Sequence, residues 1–297
     1  MKRAMLLPLL LTACVPSFED APWRVDEARV LAIVAEPPEA RPNEVVALTA
    51  LVADPDGTVN GVPAWQVCTR PRMAEERTGV SSVCLQDGGL EPTAASMTVL
   101  SDACARFGPN PPPAEGDAPA QRPADPDPSG GYFVPVQATT ADASAFGAVR
   151  VRCDLPGVSR AIFDAFNERY AMNENPAVER LTVDAALVDA QATVSAGASV
   201  SIEVTLAAGA AEPFVRYDAS ARQLVDEVEW VRVQWFVSDG SLDRGSVTLE
   251  TPTRVASATF TAPTDAGTVY AWVVLTDARG GAAWRAFELD VMREMER

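Results

Sequence analysis

Residues 229–240 read EWVRVQWFVSDG, and residues 268–291 read TVYAWVVLTDARGGAAWRAFELDV. In the first stretch Val231, Val233, Trp235 and Val237 alternate with Arg232 and Gln234. Alternation of period two over such a length marks a strand with one buried face. Trp235, inside the buried series, is expected between two sheets. The second stretch reads as two long strands around Asp277-Ala278-Arg279-Gly280-Gly281. There Gly280 and Gly281 are expected to supply the positive φ of a tight hairpin. Trp272 is out of phase with Val269, Ala271, Val273 and Leu275, which predicts partial exposure. The short runs SVTLE (246–250) and RVASATFTAP (254–263) add two more strands. Six or seven short strands with turn signals between them predict a β-sandwich.

Working outward, the segment RLTVDAALVDAQATVSAGASVSIEVTLAAG (180–209) opens this module, with Val200, Ile202, Val204 and Leu206 on one face. A similar segment, RVLAIVAEPPEARPNEVVALTALVADPDG, occupies 29–57, where Val46, Leu48, Ala50 and Val52 alternate in the same way. Two copies of one module are therefore expected. In the first copy Trp65, on AWQVC (64–68), takes the place of Trp235. A long excursion follows to about residue 130, and strands resume at YFVPVQA (132–138) and GAVRVRC (147–153). Residues 109–130 hold eight prolines and almost no large apolar side chain, a composition expected to be disordered. Between the copies Val158, Ile162, Phe166 and Tyr170 recur every four residues, with Phe163 beside them. That spacing predicts an amphipathic linker helix ended by Asn175-Pro176 and packed on one or both sandwiches. The predicted divisions are 1–13 signal peptide, 14–27 tether, 28–157 first module, 158–175 linker helix, 176–292 second module and 293–297 tail.

WFVSDG followed by AGTVYAWVVLTDARGG resembles the immunoglobulin-like modules of bacterial surface proteins, including PKD-type domains. The stretch from Arg29 is similar to the first strands of Ig-like repeats in lipoproteins of GC-rich bacteria such as myxobacteria. The resemblance implies an all-β chain of two Ig-like sandwiches and specifies a fold far better than a function.

The N-terminus supplies an address. Lys2 and Arg3 precede an apolar run from Ala4 to Ala13 that is too short to span a bilayer but fits a secretory signal. Leu11-Thr12-Ala13-Cys14 resembles the lipobox of bacterial lipoproteins, which implies cleavage before Cys14 and lipidation of its thiol. Val15 at the next position implies the outer membrane as destination. Two or more acyl chains make such anchoring stable. With Cys14 assigned to lipid, Cys68, Cys84, Cys104 and Cys153 form an even set in an oxidising compartment. Pairing Cys68 with Cys84 and Cys104 with Cys153 is slightly favoured, because the first bridge closes a short loop. The nested pairing, Cys68 with Cys153 around Cys84 with Cys104, stays open.

Composition narrows the chemistry. The chain has no histidine and one lysine, Lys2. Once Lys2 and Arg3 are cleaved away, 22 arginines face 41 acidic residues, a net charge of −19. Such a surface repels nucleic acid. Triads and dyads that use histidine, imidazole metal sites and lysine Schiff bases are excluded. Asp54-Pro55-Asp56-Gly57, Asp125-Pro126-Asp127 and the pair Asp239 and Asp243 could contribute oxygen ligands to Ca²⁺, but the first lies where a sandwich needs a turn. Trp230, Trp272 and Trp284 could stack on sugars or form a second apolar layer between modules. The expected function is that of a lipid-anchored, non-catalytic cell-envelope protein, a structural or adhesive module that binds another envelope protein. It requires no cofactor or metal, and its oligomeric state is left open. The alternatives are a carbohydrate- or calcium-binding module and, remotely, a hydrolase using paired carboxylates.

Overall fold

The computed structural model describes residues 21–72, 76, 79–86, 88–108 and 131–293. These residues form an all-β chain of two sandwiches, with helices at Ser82–Leu85, Ala103–Phe107 and Arg160–Arg169. In the second sandwich one sheet contains Val178–Val183, Ser199–Leu206 and Val255–Thr261, side by side in that order. The facing sheet runs Gln191–Ser195, Ala282–Met292, Gly267–Asp277, Val231–Val237, Ser246–Leu249. The first sandwich repeats the plan. Arg29–Glu36, Val45–Asp54 and Ser96–Thr98 form one sheet, with Gly57–Thr58 beside Val45–Asp54. The other runs Glu39–Ala40, Ser144–Val151, Tyr132–Thr139, Ala64–Cys68, Leu90–Thr93. In both, the opening part of the chain lies antiparallel in one sheet, then crosses to pair parallel with the last strand of the other. This is the immunoglobulin plan of two facing antiparallel sheets.

Each sandwich has its own apolar core. Trp235 is central to the second, among Val204, Phe260, Val273 and Leu289, and Trp65 lies in the first, among Leu48, Val134 and Val149. A third apolar layer joins the modules. Leu31, Ala32, Leu51 and Ala53 on the outer face of the first meet Phe236, Tyr270, Trp272, Val274 and Trp284 on the outer face of the second. The sandwiches are thus stacked side by side, sheet on sheet.

That layer corrects one expectation. Trp272 does point away from its own core, as its phase requires, but it is only 1% exposed because the first module covers it. Its indole N–H donates to Thr58 Oγ1 of the first sandwich at 3.0 Å. Other boundaries also shift. The linker helix spans Arg160–Arg169 rather than 158–175, and the chain beyond Tyr170 is extended because Asn173 and Asn175 bind to both modules. The stretch between Leu206 and Val231 contains an antiparallel ribbon, Pro213–Asp218 with Gln223–Val228. The helix packs on that ribbon through Phe166, Ile162 and Phe163 against Val215, Tyr217 and Leu224. The excursion after Trp65 includes two strands of the sandwich itself, Leu90–Thr93 and Ser96–Thr98. Residues 22–25, assigned to a tether, are docked: Val25 is fully buried, and Val237 exchanges backbone hydrogen bonds with Trp23 and Val25. The signal peptide, Cys14 and residues 109–130 lie outside the described residues.

Cys68 is bonded to Cys84 and Cys104 to Cys153, so the four described cysteines pair as neighbours rather than nested. The first bridge ties the end of Ala64–Cys68 to the helix Ser82–Leu85, and the second ties the helix Ala103–Phe107 to the exit of Ser144–Val151. Crosslinks restrict the unfolded chain more as the enclosed loop lengthens. For separations of 49 and 16 residues this amounts to about 4 and about 3 kcal/mol. Replacing Cys104 and Cys153 together by alanine is therefore expected to lower unfolding free energy more than replacing Cys68 and Cys84, as read from urea denaturation of the two double variants.

Candidate interaction site at the junction of the sandwiches

The hairpin Asp277–Gly281 organises the junction. One oxygen of Asp277, Oδ1, accepts the backbone N–H groups of Arg279 and Gly281, each at 2.8 Å. Gly280 takes the expected positive φ, +97°. Gly281 does not; it is needed for space, since a Cβ there would lie 2.1 Å from Asp277 Oδ2. The turn directs Arg279 inward, where it is 2% exposed. Its Nε donates to the Glu229 carboxylate, its Nη2 to Glu212 Oε2 at 2.7 Å, and its Nη1 to the Ala171 carbonyl at 2.8 Å. The Phe214 ring lies 4.9 Å from the guanidinium.

The first sandwich contributes Glu39, also buried. It accepts the Tyr170 hydroxyl at 2.6 Å and the Asn173 N–H at 2.8 Å, and it lies 3.7 Å from Arg150 Nε and 4.0 Å from Arg279 Nη1. Arg152 stacks over Tyr170 at 3.7 Å and donates to Asn167 Oδ1 at 2.9 Å. Nearby, Asn175 donates to the Ala35 carbonyl and to Glu36, both at 2.8 Å, and accepts the Ala282 N–H at 2.9 Å. First module, linker, ribbon and second module all meet here. None of these charged residues was marked as special by its spacing. The one available signal was an arginine in a turn so rich in glycine and aspartate.

Burial holds the carboxyls of Glu229 and Glu212 above the ordinary glutamate value, against the opposing hydrogen bonds from Arg279 and Glu174. Burial also pulls down the pKa of Arg279, but the hydrogen bond and charge of Glu229, together with Tyr170 and Glu39 nearby, more than reverse this, so the guanidinium stays charged. The cavity bounded by Glu39, Arg152, Phe166 and Tyr170 measures about 10 Å³, room for at most one water. The clustered carboxylates serve as anchors for guanidinium groups.

A larger groove of about 270 Å³ lies alongside. Its walls are Val30–Ile33 and Ala145–Ala148 of the first sandwich, and its floor is Gln234, Val274, Thr276 and the backbone of Gly280–Ala282 of the second. No lining residue is charged, in a chain of net charge −17.

The remaining candidates are dispersed. Asp54 Oδ1 accepts the Asp56 N–H in a turn at 2.9 Å. Asp239 binds Arg24 and the Gly240 N–H, and Asp243 binds Arg244 and the Thr259 N–H. Among the described residues no three acidic or cysteine side chains are placed to hold a metal ion. Asp125 and Asp127 lie outside them. Trp272 and Trp284 belong to the layer between the modules, and Trp230 is 39% exposed.

Two outcomes follow. Arg279→Ala leaves the buried Glu229 and Glu39 and the half-buried Glu212 without their common cation. It is expected to destabilise the chain by about 3–5 kcal/mol in urea denaturation, with Arg279→Lys recovering part of the loss. A carboxyl with a raised folded pKa gives stability that is complete below its unfolded pKa and is lost as pH rises through the folded one. Acidification from neutral pH into that window is therefore expected to raise the denaturation midpoint through Glu229 and Glu212. Glu229→Gln should flatten that slope.

No protein-family model matches the chain, and no curated protein does. Solved structures with some likeness include a nucleoside hydrolase-related hypothetical protein from Saccharophagus degradans, 20% identical over 41% of this chain, TM-score 0.27. This chain spans 26% of that protein. The D0-D1 domain of intimin is 12% identical over 88% of this chain and 99% of its own, TM-score 0.23. The Yersinia pseudotuberculosis adhesin InvE is 14% identical over 88% of this chain and 58% of its own, TM-score 0.21. The fold assignment rests on the strand order itself.

Proposed function

We propose that this chain is a non-catalytic cell-envelope protein, anchored by lipid on Cys14 to the outer membrane, whose paired Ig-like sandwiches act as one structural or adhesive unit that binds another envelope protein. The observation that carries the reading is the junction. Charged groups of both modules and of the ribbon's ends, with polar groups of the linker, are used up in fastening the parts together, which suits a rigid presenting body. The N-terminal address LTAC (11–14) supports the anchor. Six residues separate Cys14 from Ala21, which directly precedes the docked segment. Fully extended, they reach at most about 25 Å. A lipid on Cys14 would therefore keep the Val237 end of the second sandwich close to the bilayer.

Cys14→Ala is expected to abolish incorporation of labelled fatty acid and to release the protein from the membrane fraction. Unchanged fractionation and labelling would refute the anchor. Chemical crosslinking of the native chain in cells is expected to capture a specific envelope protein, and a chain that stays uncrosslinked would remove the interaction reading.

A further inference from the structure

The last strand of the first sandwich, Ser144–Val151, is an edge strand for most of its length. Its inner side pairs with Tyr132–Thr139 along all eight residues. On its outer side Arg150 N–H donates to the Pro38 carbonyl and Arg152 N–H to the Ala40 carbonyl. Backbone groups of a strand alternate between its two edges. Ser144, Phe146 and Ala148 therefore present their N–H and C=O groups on the same outer edge as Arg150. Glu39–Ala40 pairs only with Arg150 and Val151, so the ladder stops there. In the second sandwich the matching strand is five residues long, Gln191–Ser195.

The chain that could have continued the pairing has gone to the other sheet. Strand Arg29–Glu36 pairs with Val45–Asp54 and bulges between Val30 and Ala32. Its own outer edge also faces the gap, as the bond from Asn175 to the Ala35 carbonyl shows. Ala35 and, two residues earlier, Ile33 carry outward backbone groups. The groove of about 270 Å³ lies between these two edges. Small residues leave room in it: Ala32, Ala145, Gly147, Ala148, Gly280 and Ala282 are among those that line it. Gly147 is required, since a Cβ there would lie 2.8 Å from the Ile33 side chain.

From this geometry we propose that the groove is a docking site for an extended peptide segment of a partner protein, added as a strand along Ser144–Ala148. The proposal deepens the interaction reading above and rests on it. A row of open main-chain donors and acceptors at strand pitch is matched by another main chain, and strand addition is an established mode of peptide capture. Uncharged walls reject charged side chains, which would lose their hydration without gaining a partner. The segment that fits is uncharged, small or apolar at the positions facing Gly147 and Val274, and free of proline where its N–H must donate.

The test uses the full chain and a phage-displayed library of random octapeptides, followed by the enriched peptide in synthetic form. Enriched sequences are expected to be uncharged and to lack proline at alternate positions. The synthetic peptide is expected to slow hydrogen exchange of the Phe146 and Ala148 amides at least tenfold. Ala148→Pro removes an outward N–H while leaving the inner ladder intact, and should weaken binding at least tenfold. Thr276→Arg, which fills the groove from the second sandwich, should do the same if the proline variant unfolds. The proposal is overturned if no peptide is enriched, or if both variants bind as well as the parent chain. It is also overturned if the two amides exchange slowly in the free monomer, or are slowed by raising the protein concentration, since the chain itself or a second copy would then fill the edge. Acyl labelling of Cys14 plays no part in these readings, so the anchor and the groove stand or fall separately.

Discussion

A guanidinium withdrawn from water must be met by hydrogen bonds on every side, and Arg279 meets that requirement only where four separate parts of the chain converge. Glu229 and Glu212 come from the two ends of the ribbon, the Ala171 carbonyl from the linker, and Glu39 approaches from the other sandwich. Desolvating so many ionised groups is expensive, and a buried ion network is weak evidence of net stability. Its strength is selectivity. Any other placement of the linker or of the first module strands charges in a dry interior. The apolar layer around Trp272 tolerates small slides, whereas Arg279 admits one arrangement. Together they convert two flexible modules into a single body.

Legibility in the sequence followed the range of the interactions. Period-two alternation identified the strands at 199–206 and 231–237, and the phase of Trp235 placed it in a core, because those signals come from neighbours along the strand. What failed depended on distant partners. Gly267–Asp277 is apolar on both faces, Val273 and Leu275 on one, Trp272 and Val274 on the other. A strand buried on both faces reads as a continuous apolar run, and VVL beside Trp272 carried that signal. The ribbon at 213–228 was obscured by its mixture of Arg216, Asp218, Asp226 and Glu227; Arg216 pairs with Glu227, and Asp226 with Arg169 of the helix. Arg279 and Glu39 looked like ordinary solvated turn residues. Burial of a charge has no local signature.

The stacking also limits which surfaces remain for recognition. Part of the outer face of the strands Val231–Val237, Gly267–Asp277 and Ala282–Met292, around Phe236, Trp272, Val274 and Trp284, is covered by the first module. Open surface remains on the first sandwich, on the ribbon and helix, on the other sheet of the second sandwich, and at the seam where the two bodies meet. The seam differs from the rest in having uncharged walls on a strongly acidic molecule.

The docking of Trp23 and Val25 on Val237 sets how force would pass through the protein. Tension applied at the N-terminus does not first reach the sandwich that follows it in the chain. It reaches the strap of residues 22–25, and through it the strand Val231–Val237 of the later sandwich. Arg29 adds a clasp at the same place, bonding the Pro22 and Arg24 carbonyls. The first sandwich, with both disulfides, lies behind that strap and is shielded from load until it peels.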